Sequence, residues 1–386
     1  MATTGKSTFA PGPRTGHRRK QGNSMARLTR AEMQGRNRAK VLAAARDEFI
    51  ERGFRAAKVD SIAERAELTR GAVYSNFPGK RALYFAVLAE DAERVPEEAL
   101  PPAGETVQEA LEAFSRAWLA RLPLATDTQR SAGLLGMDLM PEVAADERTR
   151  HPYAQLMRLD ALVLGLALER LRPPSRGAGR LVGVAEAVLT TLQGASQLAA
   201  TAPGFVEPFN VIRACGQLAA LELDERWQPT HLPYVPPARA ADDGWSPLPA
   251  TDAIHGEPAR LSGDGVVAVL GLHRLAAIEE AVRAAPSGAD VTAVLVSSAP
   301  RELIPLARLT IADFRVCLRQ AFPPSTWPRL QIVYDETGAL AAAAGVPAVS
   351  DATEAAVRIE AGRIVARAEG YGACHAAATA GGRASP

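Results

Sequence analysis

Cysteine is scarce. The chain of 386 residues has three, Cys215, Cys317 and Cys374, widely separated. They form no CxxC and no pair at metal-ligand spacing, which argues against a disulfide framework or a thiolate metal centre and suits a reducing cytoplasm. Long apolar runs are also missing. Crossing a bilayer needs about 18–20 apolar residues, whereas the run around "LVLGL" near 162–168 soon meets Glu169 and Arg170. Arg18, Arg19 and Lys20 are followed by no apolar stretch, so no signal peptide is expected. No cluster of Asp, His or Arg in the helical middle of the chain marks a charged ligand, no metal or other cofactor is implied, and no catalytic constellation stands out.

The balance that remains, 47% hydrophobic and 23% charged, is that of a globular chain, and its length suggests two or three domains. The net charge of +1 conceals an asymmetry. Residues 1–81 hold 18 Lys and Arg against seven Asp and Glu, a surplus of eleven, so the remainder is ten to the negative. A basic head on an acidic body fits a nucleic-acid binder with a second function attached. A solvated basic tail is the plainer alternative.

Residues 1–35 form a basic arm, aperiodic in its first thirty positions and expected to lack fixed structure; Met25 offers a second start. From Arg36 the pattern is helical: Leu42, Ala45 and Phe49 recur on one face, and Gly53 is a stop signal. Val59, Ile62, Ala63 and Ala66 mark a short second helix, and Thr69 is a natural N-cap for a third. Pro78 and Gly79 break the third, and "KRALYFAVLAE" starts a fourth. Residues 36–90 thus hold three short helices, with a tight turn between the second and third, and the start of a fourth.

Residues 91–226 alternate amphipathic or buried helical runs with breaks and carry no strand signal. Trp118, Leu134, Met137, Met140 and Met157 are candidates to line a small-molecule pocket; a plain core role is the competing reading. Seven prolines between 229 and 258 mark 227–262 as a linker. The period then changes. "GVVAVLGL", "DVTAVLVSS" and "LQIVYD" are strands separated by helical runs, and "EAAVRIEAGRIVARAEG" is a hairpin turning at Ala361–Gly362. This predicts a small α/β domain over 263–374 and a flexible tail over 375–386.

"AAARDEFIERGF", "VDSIAERAELTRGAVYSNFPGK" and the following "AL", within 38–84, resemble the N-terminal domain of the TetR family of transcriptional repressors. The resemblance implies a helix-turn-helix whose third helix enters the major groove of double-stranded operator DNA. It implies that Thr69 caps that helix and reaches a phosphate, and that Arg70 and Ala72 face bases or backbone. Gly71 lets the backbone lie close to DNA, Tyr74 offers its hydroxyl to a phosphate, and Asn76 adds a polar contact. Lys80 is matched to a phosphate-binding lysine at a helix start, and Lys58 is a weaker backbone contact. Two departures are visible. Ala57–Lys58 stands where the family often has a capping Thr, and Glu67 stands where the turn usually has Gly. The helical middle then corresponds to a regulatory domain that binds a small-molecule effector, with helices near 180–202 and 207–223 building a homodimer. No membrane partner is implied.

"YDETGALAAAAGV" and "AAVRIEAGRIVARAEGYG" resemble a thioredoxin-like domain, without its chemistry: "GLHRLAAIEE" follows the first strand where paired cysteines belong. The expected whole is therefore multi-domain, an all-α TetR-like helix-turn-helix and regulatory unit followed by a small degenerate thioredoxin-like α/β domain. Its expected function is a dimeric, ligand-responsive, non-enzymatic repressor. The alternatives are a redox-active oxidoreductase or redox sensor fused to a DNA-binding module, and an interaction scaffold using the Pro-rich segment.

Overall fold

Thr29, Thr69 and Thr106 cap the helices that follow them through their side-chain oxygens. In the computed structural model, which describes residues 1–3, 5, 29–94, 103–122, 135–172, 179–223 and 235–380, α1 (Arg30–Ala56) opens on a capping box of Thr29 and Glu32 and breaks at Gly53, whose φ is +70°. It is followed by α2 (Val59–Arg65), α3 (Arg70–Asn76) and α4 (Lys80–Glu93). The helical middle comprises α5 (Val107–Leu119), α6 (Leu139–Ala144), α7 (Glu147–Leu171), α8 (Val182–Thr201) and α9 (Pro208–Gln217). Leu134 lies outside the described residues. Among these residues no helix is long and apolar enough to cross a membrane.

The C-terminal part is a mixed six-stranded sheet in the order β1-β6-β5-β2-β3-β4. Its elements are β1 (Arg239–Gly244), β2 (Gly265–Gly271), α10 (Ile278–Ala284), β3 (Asp290–Val296), α11 (Pro300–Ala321), β4 (Leu330–Tyr334), α12 (Ala339–Ala343), β5 (Glu354–Glu360), β6 (Arg363–Glu369) and α13 (Ala373–Thr379). Strands β2, β3 and β4 are parallel, and β5 runs antiparallel to β2. Every residue of β2 is buried, as an unbroken apolar strand covered on both faces must be. The β5–β6 hairpin turns at Ala361 and Gly362, both at positive φ. An α/β domain is therefore present where the sequence predicts one.

Three boundaries move. Helix α1 begins at Arg30, inside the expected arm of residues 1–35, because the Thr29–Glu32 capping box starts it earlier than the apolar pattern shows. The Pro-rich stretch is not a linker throughout: residues 239–244 form β1, which pairs with β6 at the sheet edge. Trp245 is buried, its indole N–H donating to the Leu261 carbonyl at 2.6 Å, and Asp252 accepts from the backbone N–H of Ile254 and Ile332 at 3.0 and 3.1 Å. The strand is hidden because its sequence, RAADDG, carries no apolar alternation: at the sheet edge it is held by backbone pairing, with nearly every side chain exposed. Residues 227–234 lie outside the described residues. The expected flexible tail likewise contributes through residue 379 to α13, which buries Ala376, Ala377 and Ala378.

The two halves are not beads on a string. Helix α11, from the α/β half, packs against α4, α5 and α7 of the helical half. This explains why α4 is buried almost all round, from Ala82 to Ala89: the three-helix unit takes one side and α11 the other. Phe314 of α11 meets Phe114 of α5 with ring centroids 5.6 Å apart. Ion pairs stitch the seam, including Arg81–Glu302 at 3.1 Å, Arg283–Glu169 at 2.6 Å and Arg180–Glu279 at 2.7 Å. Arg121 pairs with Asp313 there too. His151 and His273 stack across the same seam, centroids 4.3 Å apart.

Asp160 of α7 sits beneath this seam, 2% exposed, with Oδ1 unpartnered. Burial, then the nearby Asp313 charge, push its carboxyl well above the usual aspartate range. The unfolded chain releases this proton near pH 4 while the folded chain keeps it. Stability therefore falls as pH rises through the ordinary aspartate range, until the raised folded value is reached. Asp160→Asn is expected to remove that loss, stabilising the protein at pH 7 by about 1.4 kcal/mol for each tenfold difference in proton affinity. Urea melts at pH 3 and pH 7 check it: wild type and variant should nearly coincide at the lower pH and separate at the higher.

Candidate nucleic-acid interface

The turn between α2 and α3 is built from backbone bonds. Glu67 N–H donates to the Glu64 carbonyl at 3.0 Å and Leu68 N–H to the Ala63 carbonyl at 2.9 Å. This double closure needs a left-handed residue at the cap, and Glu67 supplies it at φ +57°. A side chain there costs about 1–2 kcal/mol. The sequence flags this position as a departure, and the geometry gives the reason. The other departure is also visible, since Lys58 precedes α2 with no side-chain cap. Glu67 holds Lys40 at 3.1 Å, an exposed pair worth little. Glu67→Gly is thus expected to change stability by no more than about 1 kcal/mol. It should tighten DNA binding at low salt by removing a negative charge beside the basic face, which titration at two salt concentrations would detect.

Helix α3 starts at Thr69, whose Oγ1 accepts from Ala72 N–H at 3.2 Å. Val73, Asn76 and Phe77 turn inward, leaving Arg70, Gly71, Tyr74 and Ser75 exposed and Ala72 half-buried. Tyr74 is 41% exposed despite its size. The Arg70 guanidinium lies 5.5 Å from the Tyr74 ring centroid and 3.2 Å from Asp60 of α2, so it is held in place across the turn. Gly71 is the informative residue. A Cβ built there would meet only Thr69 Oγ1, at 3.9 Å. Nothing inside the fold requires glycine at this point, although it costs the helix about 1 kcal/mol relative to alanine. Lys58 is exposed at the start of α2.

Two expected contacts are redirected. Asn76 is 8% exposed and donates to the Ala72 carbonyl at 2.8 Å, closing the helix rather than facing outward. Lys80 folds back: its ammonium donates to the carbonyls of Phe54, Arg55 and Ala57 at 2.8, 3.2 and 3.1 Å, and sits 4.5 Å from the Phe54 ring centroid. The break at Gly53 leaves those carbonyls without helical partners, and Lys80 satisfies them. In this structure it clamps α1 to α4.

Sequence reasoning misses two residues on this face. Ser75 is exposed beside Tyr74. Arg301, at the start of α11, donates to the Ser75 carbonyl at 3.2 Å, so the α/β half touches the end of α3 directly. No local signal reveals a contact between residues this far apart in the chain.

The four candidate effector residues that the structure describes do not converge. Trp118 of α5 donates to Ser196 Oγ of α8 at 3.0 Å, and Met157 of α7 lies 3.8 Å from Gln193 Nε2 on the same helix. Met137 is exposed and Met140 half-buried near α6, beside Asp138, which accepts from Phe54 N–H at 3.0 Å. They divide between two regions rather than lining one pocket. Apolar side chains of α11, Phe314 among them, pack into the core beside α5 and α7.

Residues 41–87 match the model of bacterial regulatory proteins of the tetR family. The chain is 39% identical over 88 residues to the HTH-type transcriptional activator FasR of Mycolicibacterium smegmatis, covering 23% of this chain and 36% of that protein. It is 32% identical over 123 residues to the HTH-type transcriptional regulator YdeS of Bacillus subtilis, covering 31% and 59%. The chain thus spans less than two thirds of either relative. Among solved structures, a TetR transcriptional regulator from Rhodococcus sp. RHA1 aligns at 18% identity and TM-score 0.32, over 50% of this chain and 99% of that one.

Proposed function

We propose, from the premise that residues 41–87 are a TetR-family helix-turn-helix domain, that the protein is a DNA-binding transcription regulator. It binds a near-palindromic operator as a homodimer and is released by a small molecule, with repression as its sign. The observation that carries the reading is the outer face of α3, where an exposed tyrosine and arginine flank a glycine that no internal contact explains. Close approach of a second backbone is what such a glycine permits. Phosphate contacts from this basic head make affinity fall with salt.

The dimer is supported by a stripe of exposed apolar side chains along α8, α9 and their surroundings. Phe205 is 71% and Phe209 76% exposed, with Leu198, Leu221 and Leu223 nearby in sequence. Patches of this kind mark interaction surfaces, and these are the helices that the family resemblance assigns to the dimer. Half-sites are then expected about one helical turn, or a multiple of it, apart.

The strand order, closing hairpin and final helix support a thioredoxin-like reading of the C-terminal fold. They do not support its chemistry. All three thiols are buried, and burial pushes Cys317 up to about 12 and Cys374 upward as well. A protonated, enclosed thiol is neither nucleophile nor sensor.

Fluorescence anisotropy on DNA from upstream of the protein's own gene, with scrambled DNA as control, tests the reading. Tyr74→Ala should lower affinity on the order of tenfold, as loss of a good contact does. Gly71→Ala should stabilise the protein by up to about 1 kcal/mol and yet weaken DNA binding. A Gly71→Ala protein that binds as tightly as wild type would refute close approach at α3. Wild-type binding no tighter than to scrambled DNA, followed by failure of genome-wide selection to enrich any site, would refute the regulator itself.

A further inference from the structure

A cleft of roughly 620 Å³ opens where the end of α4 meets the α/β half. It is lined by Glu93 of α4, by Arg308, Ala312 and Arg315 of α11, by the end of β4, and by residues 248–253. Its size is within the roughly 300–1,000 Å³ that small organic ligands occupy. It lies at the carboxyl end of a parallel strand, where open α/β sheets hold their ligands.

The chemistry of the lining is specific. Arg308, Ala312 and Arg315 fall on one face of α11, because spacings of four and three residues are close to one helical turn. Leu248, Ala250, Ala253 and Leu340 supply apolar wall. Two of the acids are already engaged: Asp252 accepts from two backbone N–H groups, and Asp335 from Ala339 and Ala341 N–H at 3.0 and 2.9 Å. The Arg308 fork is filled by Glu93, with Nε and Nη2 at 2.9 and 2.7 Å from its two oxygens. Glu336 stands farther off, at 4.0 Å. A guanidinium in this two-pronged arrangement matches any planar carboxylate, and Glu93 is the protein's own.

We propose that this cleft binds an organic carboxylate with an apolar body, which takes the Arg308 fork from Glu93. The consequence follows from where Glu93 sits. It is the last residue of α4, whose first residue, Lys80, is clamped to α1. Displacing Glu93 releases the C-terminal end of α4 from its ion pair with α11 and lowers the affinity of α3 for DNA. The proposal deepens the regulator reading, and only its DNA readout rests on that reading.

Binding of 2-naphthoate to the full-length protein, followed by calorimetry, tests the site without DNA; 2-naphthylmethylammonium and 2-naphthol are the controls. The naphthoate should bind, and the ammonium and alcohol should bind at least about tenfold more weakly, the margin a lost charged fork represents. Ala312→Trp, which fills the cleft, should abolish binding; Arg315→Gln, a gentler change, should weaken it. Glu93→Gln frees the fork and should bind naphthoate more tightly. Undiminished binding in both cleft variants would overturn the site. A preference for the ammonium, or no naphthoate binding at all, would overturn the ligand class. Unchanged affinity in Glu93→Gln would overturn the exchange. The last arm adds saturating naphthoate to the DNA complex, where a fivefold or greater loss of affinity is expected for an allosteric couple of ordinary size (roughly 5–150-fold). Naphthoate that binds while DNA affinity stays fixed overturns the coupling. Wild-type protein that binds naphthoate but never prefers any DNA overturns the regulator reading and leaves the site standing.

Discussion

Cut after Arg226, the chain is expected to lose cooperative folding instead of yielding a free-standing DNA-binding half. The cut removes α11, whose main neighbours α4, α5 and α7 all belong to what is kept. Leu303, Ile304, Leu306, Leu309, Ile311, Phe314 and Leu318 of α11 are all buried. Burying a side chain of this kind is worth about 1.5–3 kcal/mol, and whole domains are stable by only about 5–15 kcal/mol. Losing even half of that contact therefore consumes most of the margin. It also bares the faces of α4 and α5 around Phe85 and Phe114, both fully buried in the intact protein, and strands Arg81, Arg121 and Glu93 without their partners on α11. Circular dichroism melts and gel filtration of residues 1–226 should show a broad transition and aggregation. A sharp melt and a defined oligomer that binds operator DNA like the full protein would mean that α11 is dispensable and that the halves are independent.

Lys80→Met is expected to damage DNA binding through the fold. Methionine keeps the apolar stem against Phe54 and removes only the charge. Three carbonyls after the Gly53 break then lose a charged donor. Hydrogen bonds to charged groups contribute about 1.5–3 kcal/mol each, and water recovers part of that at a half-buried site. A net loss of about 2–4 kcal/mol is the expected scale. DNA affinity should fall with it, because the clamp fixes α4 against α1 and thereby the frame that presents α3. The salt dependence separates this role from a phosphate contact. Removing a lysine that touches phosphate lowers the slope of log affinity against log salt by about one; removing the clamp should leave the slope unchanged while the melting temperature drops. The opposite pattern, an unchanged melt with a shallower slope, would restore Lys80 to the DNA.

Both expectations concern features that the sequence presents differently from the structure, and the reason is the same in each. Local pattern identifies groups but not how far away their partners are. The Thr69 cap, the Gly53 break, the buried faces of α2 and α3 and the odd Glu67 turn are all legible, because each depends on residues within about one helical turn. The strands β2 to β6 and the hairpin at Ala361–Gly362 are legible for the same reason. Lys80 is visible as a cation at a helix start, yet its partners at 54, 55 and 57 lie across the turn of the fold. Asn76 is visible as polar, but whether a polar tip near a helix end points out or bonds back to the preceding turn depends on what packs beside it.

What the sequence by itself determined is the kind of parts: a basic helical head with a tyrosine and a mid-helix glycine on its third helix, a helical middle, and an α/β end without paired cysteines. Periodicity, caps and composition are short-range properties, and they suffice for that. Only the tertiary structure decided how the parts join. It drew the Pro-rich stretch into the sheet, drove α11 into the helical core, brought Arg301 to the end of α3, and left a cleft where Glu93 occupies Arg308. Apolar faces on separate segments say that burial is required but not against which partner, because hydrophobic attraction has no direction. The pairing is settled only when all the faces are satisfied at once.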